Sequence, residues 1–230
     1  MTGSIVEVAL AGALLLLSHF VPPAPGNRAR IVARTGEGAY MGLYSLVSVA
    51  AIVWLCLAWA AAPVVPLWEA GILRWVPAVV LPFALILFVA AYTTRNPTSV
   101  GQGASLLPET ARGVLRITRN PLLWSVTAWA LSHLVANGDL ASVLFFGTFA
   151  MLAGLGTVLL ERKIALREGA RWDAFAAVTS NVPFAAILQG RQRLDLREIG
   201  PVRIGAAFAL TLALVQFHGW LFGVPAIPPG

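Results

Sequence analysis

Charge is what this sequence has least of: only 11% of its 230 residues are Asp, Glu, Lys or Arg, while 58% are hydrophobic. A soluble domain carries about 25% charged residues. So little polar surface cannot cover the chain in water, which excludes an ordinary soluble enzyme, a nucleic-acid-binding domain and a disordered protein. Cysteine is nearly absent too. The single Cys56 lies inside an apolar run, so no intramolecular disulfide framework exists and the redox compartment is unmarked. There is no cysteine cluster and no HExxH spacing, which disfavours zinc. The net charge of +6 would suit a nucleic acid, but the basic residues gather in loops between apolar runs, as they do in membrane proteins.

What is present is a series of six apolar runs, 4–21, 39–62, 76–93, 121–136, 140–160 and 202–223. At 1.5 Å per residue most are long enough for a helix to cross about 30 Å of hydrocarbon. The fourth is short, and is expected to start inside the bilayer or to sit tilted in a protein-lined pocket. The first has no positive n-region, with Glu7 as its only charge, and reads as a retained helix. Pro22-Pro23-Ala24-Pro25 ends it, Pro63 and Pro66 close the second, and Asn137-Gly138-Asp139 is a tight turn between the fourth and fifth. The fold class is therefore an all-α polytopic membrane bundle forming one domain over 1–230.

Segments 22–38, 94–120 and 161–203 carry three, four and eight basic residues, whereas Arg74 stands alone on the other side. The positive-inside rule puts these three segments in the cytoplasm and both termini outside, the expectation for a bacterial inner-membrane protein. The stretch 161–201 mixes arginines with Trp172, Phe175, Phe184 and Ile187. It reads either as a basic amphipathic segment lying on the cytoplasmic leaflet or as a cap folded against the helix ends.

In a core with almost no charge, each polar group within a span is a functional candidate. His19 ends the first run beside Ser18, His133 lies in the fourth, and His218 lies in the sixth, seven residues after Thr211. Each alone could be an interhelical hydrogen-bond partner. Three in one small bundle, with few acidic partners, point toward haem iron or a transition metal. Counting helix rise, His133 lies about 18 Å past Pro121, His19 about 4 Å from Pro22, and His218 about 22 Å past Arg203. Depth therefore favours His218 over His19 as partner to His133. Tyr40, Tyr44 and Ser48 form a polar stripe, either an aromatic belt or the wall of a pocket facing the basic loops.

Two short segments repeat, Thr94-Arg95-Asn96-Pro97 and Thr118-Arg119-Asn120-Pro121. In the second, Pro121 suits the first helical position and Asn120 the N-cap. Its exposed amides, with Arg116 and Arg119, would suit an anionic group such as a haem propionate or a phosphate; a plain helix start with snorkelling arginines explains the same residues.

Several stretches together carry a resemblance. They are Gly36-Glu37 with Tyr40, Tyr44 and Ser48; Asn96-Pro97-Thr98 with Gly101-Gln102; Arg116 to Pro121; Trp129 to Leu134 with Asn137-Gly138-Asp139; Thr179-Ser180 with Pro183-Phe184; and His218 with Leu221 to Val224. Along nearly its whole length the chain resembles the NnrU family of bacterial membrane proteins, which implies a link to denitrification and nitric-oxide metabolism. From Glu109-Thr110 to His133 it is also similar to the plant 15-cis-zeta-carotene isomerases, which implies haem b held by two histidines, here His133 and His19. The sequence departs from the isomerases at Asn120, where they carry histidine. Two lead readings follow, a haem b redox protein and an isomerase of a lipid-soluble polyene. A membrane methyltransferase and an accessory factor of a respiratory complex are the other readings.

Overall fold

The computed structural model describes residues 3–98 and 111–227; Gly101, Gln102, Glu109 and Thr110, to which the resemblance extends, lie outside them. Among the described residues there are ten α-helices and no strand: α1 (Ile5–Phe20), α2 (Pro25–Thr35), α3 (Glu37–Ala61), α4 (Val76–Thr93), α5 (Pro121–Asn137), α6 (Leu140–Glu168), α7 (Ala170–Val178), α8 (Ala185–Leu188), α9 (Leu196–Ile199) and α10 (Pro201–Phe222). The six apolar runs correspond to α1, α3, α4, α5, α6 and α10. Of these, α3, α4 with the turn before it (Gly71–Thr93), α6 and α10 are each long and apolar enough to cross a membrane. The chain is a polytopic membrane protein.

The two short helices have separate reasons for their length. In α1 the prolines after Val21 stop the helix, and the chain turns by 82° into α2. In α5 the first helical residue, Pro121, is already buried, beneath a polar cluster described below. The helix therefore begins against protein.

Neighbouring helices pack in the order α3, α1, α6, α5, α4, α10. Small residues let the backbones approach, as is usual where lipid supplies no hydrophobic drive between helices. Gly12 of α1 faces Thr148 of α6 so closely that a Cβ there would lie 2.5 Å from its Oγ1. One core unites Val8, Leu15, Leu55, Phe145 and Phe146 with Trp59 and Trp129 from four helices. Glu7, the lone charge of α1, accepts a hydrogen bond from Trp54 Nε1 at 3.3 Å.

The connecting segments pair at the two ends. At one end Leu67 N–H and Trp68 N–H donate to the Gly138 carbonyl, and Leu140 N–H donates to Val65. At the other end the basic segments meet: Arg203 donates to Thr93 Oγ1 at 2.8 Å, and Arg116 reaches Glu198. The stretch 161–201 is a folded cap. α6 continues through Glu168, and Trp172 and Phe175 of α7 are buried against Ile164, Val114 and Leu115. Its two largest buried aromatics face protein.

Candidate functional site: three histidines and a buried polar lock

The three histidines share one local arrangement. Nδ1 of His19 lies 2.9 Å from the Leu15 carbonyl, Nδ1 of His133 lies 2.9 Å from the Trp129 carbonyl, and Nδ1 of His218 lies 2.7 Å from the Val224 carbonyl. A carbonyl oxygen only accepts, so each Nδ1 carries a proton and donates it there. A backbone carbonyl on Nδ1–H is also the arrangement that orients metal-ligating imidazoles and makes them more basic.

Position separates them. His133 is half-buried in an aromatic wall, stacked on Phe146 at 5.2 Å between ring centroids, with Trp129 at 5.7 Å. Trp129 in turn meets Phe149 edge-on. His19 is on the far side of α1, its ring 5.5 Å from that of Tyr44. α1 and α6 run in the same direction, with Gly12 beside Thr148, so His19 lies about 13 Å nearer the basic end than His133 at 1.5 Å per residue. His19 thus lies apart from His133, beside Tyr44. Among the described residues no three His, Cys, Asp or Glu side chains converge as a metal cluster.

Arg116, Arg119 and Asn120 form a different structure. Arg119 donates from Nε and Nη2 to the two carboxylate oxygens of Glu161, at 2.9 and 2.8 Å, with the side chains only 10% and 14% exposed. Its Nη1 reaches the Ala176 carbonyl, and its guanidinium lies 5.5 Å from the Trp172 ring. Asn120, 1% exposed, donates from Nδ2 to Glu161 and to Asn181 Oδ1. Asn181 Oδ1 also accepts from Trp124 Nε1, and its own Nδ2 donates to Thr157. Removing one partner of so buried a pair strands the other charge, a loss of about 3–5 kcal/mol.

Asn120 is the N-cap residue of α5 and Pro121 its first helical residue, as the sequence suggests, but the Asn120 side chain bonds no helix amide: its Nδ2 is drawn to Glu161, a stronger acceptor, and among the described residues Oδ1 is buried without a partner. The arginines are already engaged. Arg119 holds Glu161, while Arg116 holds both oxygens of Glu198 and also Gln192. The anion that the start of α5 invites is supplied by the protein itself. The two repeated segments do pack together, with Thr98 Oγ1 donating to the Arg119 carbonyl at 2.6 Å.

Glu161, Asn181 and Glu198 are the residues the sequence reading passed over. Glu161 was signalled weakly, as the first acidic residue at the end of the fifth run, whereas nothing local marks Asn181. Glu198 is held well below the usual carboxylate range, at about 2, by Arg116 and then by the Gly113 N–H.

A family model for the NnrU protein matches residues 7–226. The chain belongs to the NnrU family. It is also 31% identical over 116 residues to the chloroplastic 15-cis-zeta-carotene isomerase of Arabidopsis thaliana, covering 42% of this chain and 29% of that protein. To the Zea mays protein of the same name it is 32% identical over 84 residues, covering 36% of this chain and 22% of the relative. The chain thus covers less than a third of the length of either plant protein. No solved structure matches it.

Proposed function

We propose that this NnrU-family protein is a membrane haem b protein of redox metabolism linked to nitric oxide and denitrification. On this reading it sits in a bacterial inner membrane with its basic end in the cytoplasm. The observation that carries the reading is the state of His133: Nδ1–H held by a carbonyl, Nε2 available, and an aromatic wall around it. His133 would be one iron ligand. His218 would be the second, because its Nδ1 also meets a carbonyl and counting helix rise sets it near the depth of His133. His19 fits less well at its different depth. Bound haem would supply one-electron chemistry, whose potential the axial histidines and their carbonyl partners tune. The chain's own contribution is to orient His133 through Trp129 and to exclude water with Phe146 and Phe149.

The experiment is an absorption spectrum of detergent-purified protein, oxidised and dithionite-reduced, with each histidine replaced in turn. A b-type spectrum is expected, lost in His133→Ala and altered in His218→Ala but not in His19→Ala. A colourless protein after expression with ample haem overturns the reading.

A second reading is isomerisation of a lipid-soluble polyene, favoured by the similarity to the two plant 15-cis-zeta-carotene isomerases. Conversion of 15-cis-zeta-carotene by the reduced, haem-loaded protein would support it; no turnover removes it for that substrate.

A further inference from the structure

The angle between α1 and α2 belongs neither to the His133 region nor to the polar lock. α2 leaves α1 at 82°, so with α1 crossing the bilayer it lies nearly flat at the interface, and none of its residues is buried. Asn27, Arg30, Ile31 and Arg34 recur at helical spacing and share one face. With Pro22 they line a shallow hollow of about 260 Å³. Directly beside it, sharing Pro22 and Ile31, is a cleft of about 150 Å³ walled by Leu43, Tyr44 and Val47 of α3.

The charges in this corner are unequal in their engagement. Arg28 is occupied, by Glu37 and by the face of Tyr40 at 5.4 Å. Asn27 is fixed by its bond to the Val21 carbonyl. Arg30 and Arg34 are exposed, and among the described residues no carboxylate pairs with either. A cationic mouth therefore opens onto an apolar slot.

We infer that this corner binds one anionic phospholipid, its phosphate on Arg30 and Arg34 and part of one acyl chain in the cleft along Tyr44 and Val47. Charge complementarity chooses the headgroup, since each basic side chain near an anionic surface is worth roughly fivefold in affinity. The adjoining apolar cleft chooses a lipid over a free phosphate.

The test is native mass spectrometry and thermal unfolding of the detergent-purified full chain with phosphatidylglycerol, with phosphatidylcholine of the same chains, and with inorganic phosphate. One retained phosphatidylglycerol per chain and a raised unfolding temperature are expected, with little effect of the other two additives. Arg30→Gln with Arg34→Gln should weaken retention roughly 25-fold. The matching pair of Lys substitutions should keep most of it. Val47→Trp, which fills the cleft, should weaken retention while leaving both arginines in place. Equal retention of both lipids, or no response to either change, overturns the inference. Stabilisation by phosphate alone overturns the lipid assignment and leaves an anion site.

Discussion

At the scale of single residues, the same side-chain chemistry does different work depending on what lies within 3 Å. Arg116 and Arg119 are sequence neighbours in one basic loop, yet each is consumed by a carboxylate from a distant segment. Arg30 and Arg34, of similar local appearance, meet none among the described residues. The Arg116–Glu198 pair has a consequence that pH can read. Glu198 titrates at about 2 in the folded chain, below the 4.5 of an unperturbed glutamate. Its contribution to stability is therefore complete above about pH 4.5 and disappears as pH falls toward 2. Trp172 fluorescence during acid titration should show the cap loosening in that window. Glu198→Gln should start less stable at neutral pH and lose that part of the pH dependence. An unchanged profile would show that the pair does not hold the cap.

At the scale of elements, close approach sets the helix pairs. Gly12 allows α1 to reach α6, and a methyl group there would collide with Thr148 Oγ1, itself tied to the Leu144 carbonyl. Gly12→Ala should lower stability by about 1–3 kcal/mol, the usual range for overpacking. Thr148→Ala in the same chain should recover part of that loss, because it removes the colliding oxygen. Thermal unfolding of the single and double variants checks both statements. The elements also show which local signals were readable. Proline punctuation marked the ends of α1 and α3, and Asp139 caps α6 as its turn sequence suggests, accepting from Ser142 N–H at 2.9 Å. Asn120 likewise stands at the N-cap of α5, but its side chain caps no amide, because Glu161, 41 residues away in sequence, takes it.

At the scale of the whole molecule, the alternation of six apolar helices brings segments 22–36, 161–200 and the described part of 94–120 to one end. The other end holds Arg74 as its basic residue. If the basic end faces the cytoplasm, then in intact cells of a Cys56→Ala chain an impermeant maleimide should label Glu69→Cys but leave Arg167→Cys untouched until the membrane is opened. The reverse pattern would invert the topology.

The sequence by itself determined the class, the helix positions and the clustering of basic charge at one end. These follow from composition, run length and proline placement, all of which act over a few consecutive residues. It also singled out the histidines and the Tyr40–Tyr44 stripe, and left open whether that stripe formed a belt or a pocket wall. Only the tertiary structure decided that His19 sits beside Tyr44, that Glu161 and Asn181 lock the start of α5, and that Trp172 and Phe175 of 161–201 turn onto protein. Those outcomes depend on the rotation and relative depth of helices brought together from far apart in the chain. Periodicity along one helix names the residues on a face, but the neighbour that meets the face is chosen by packing.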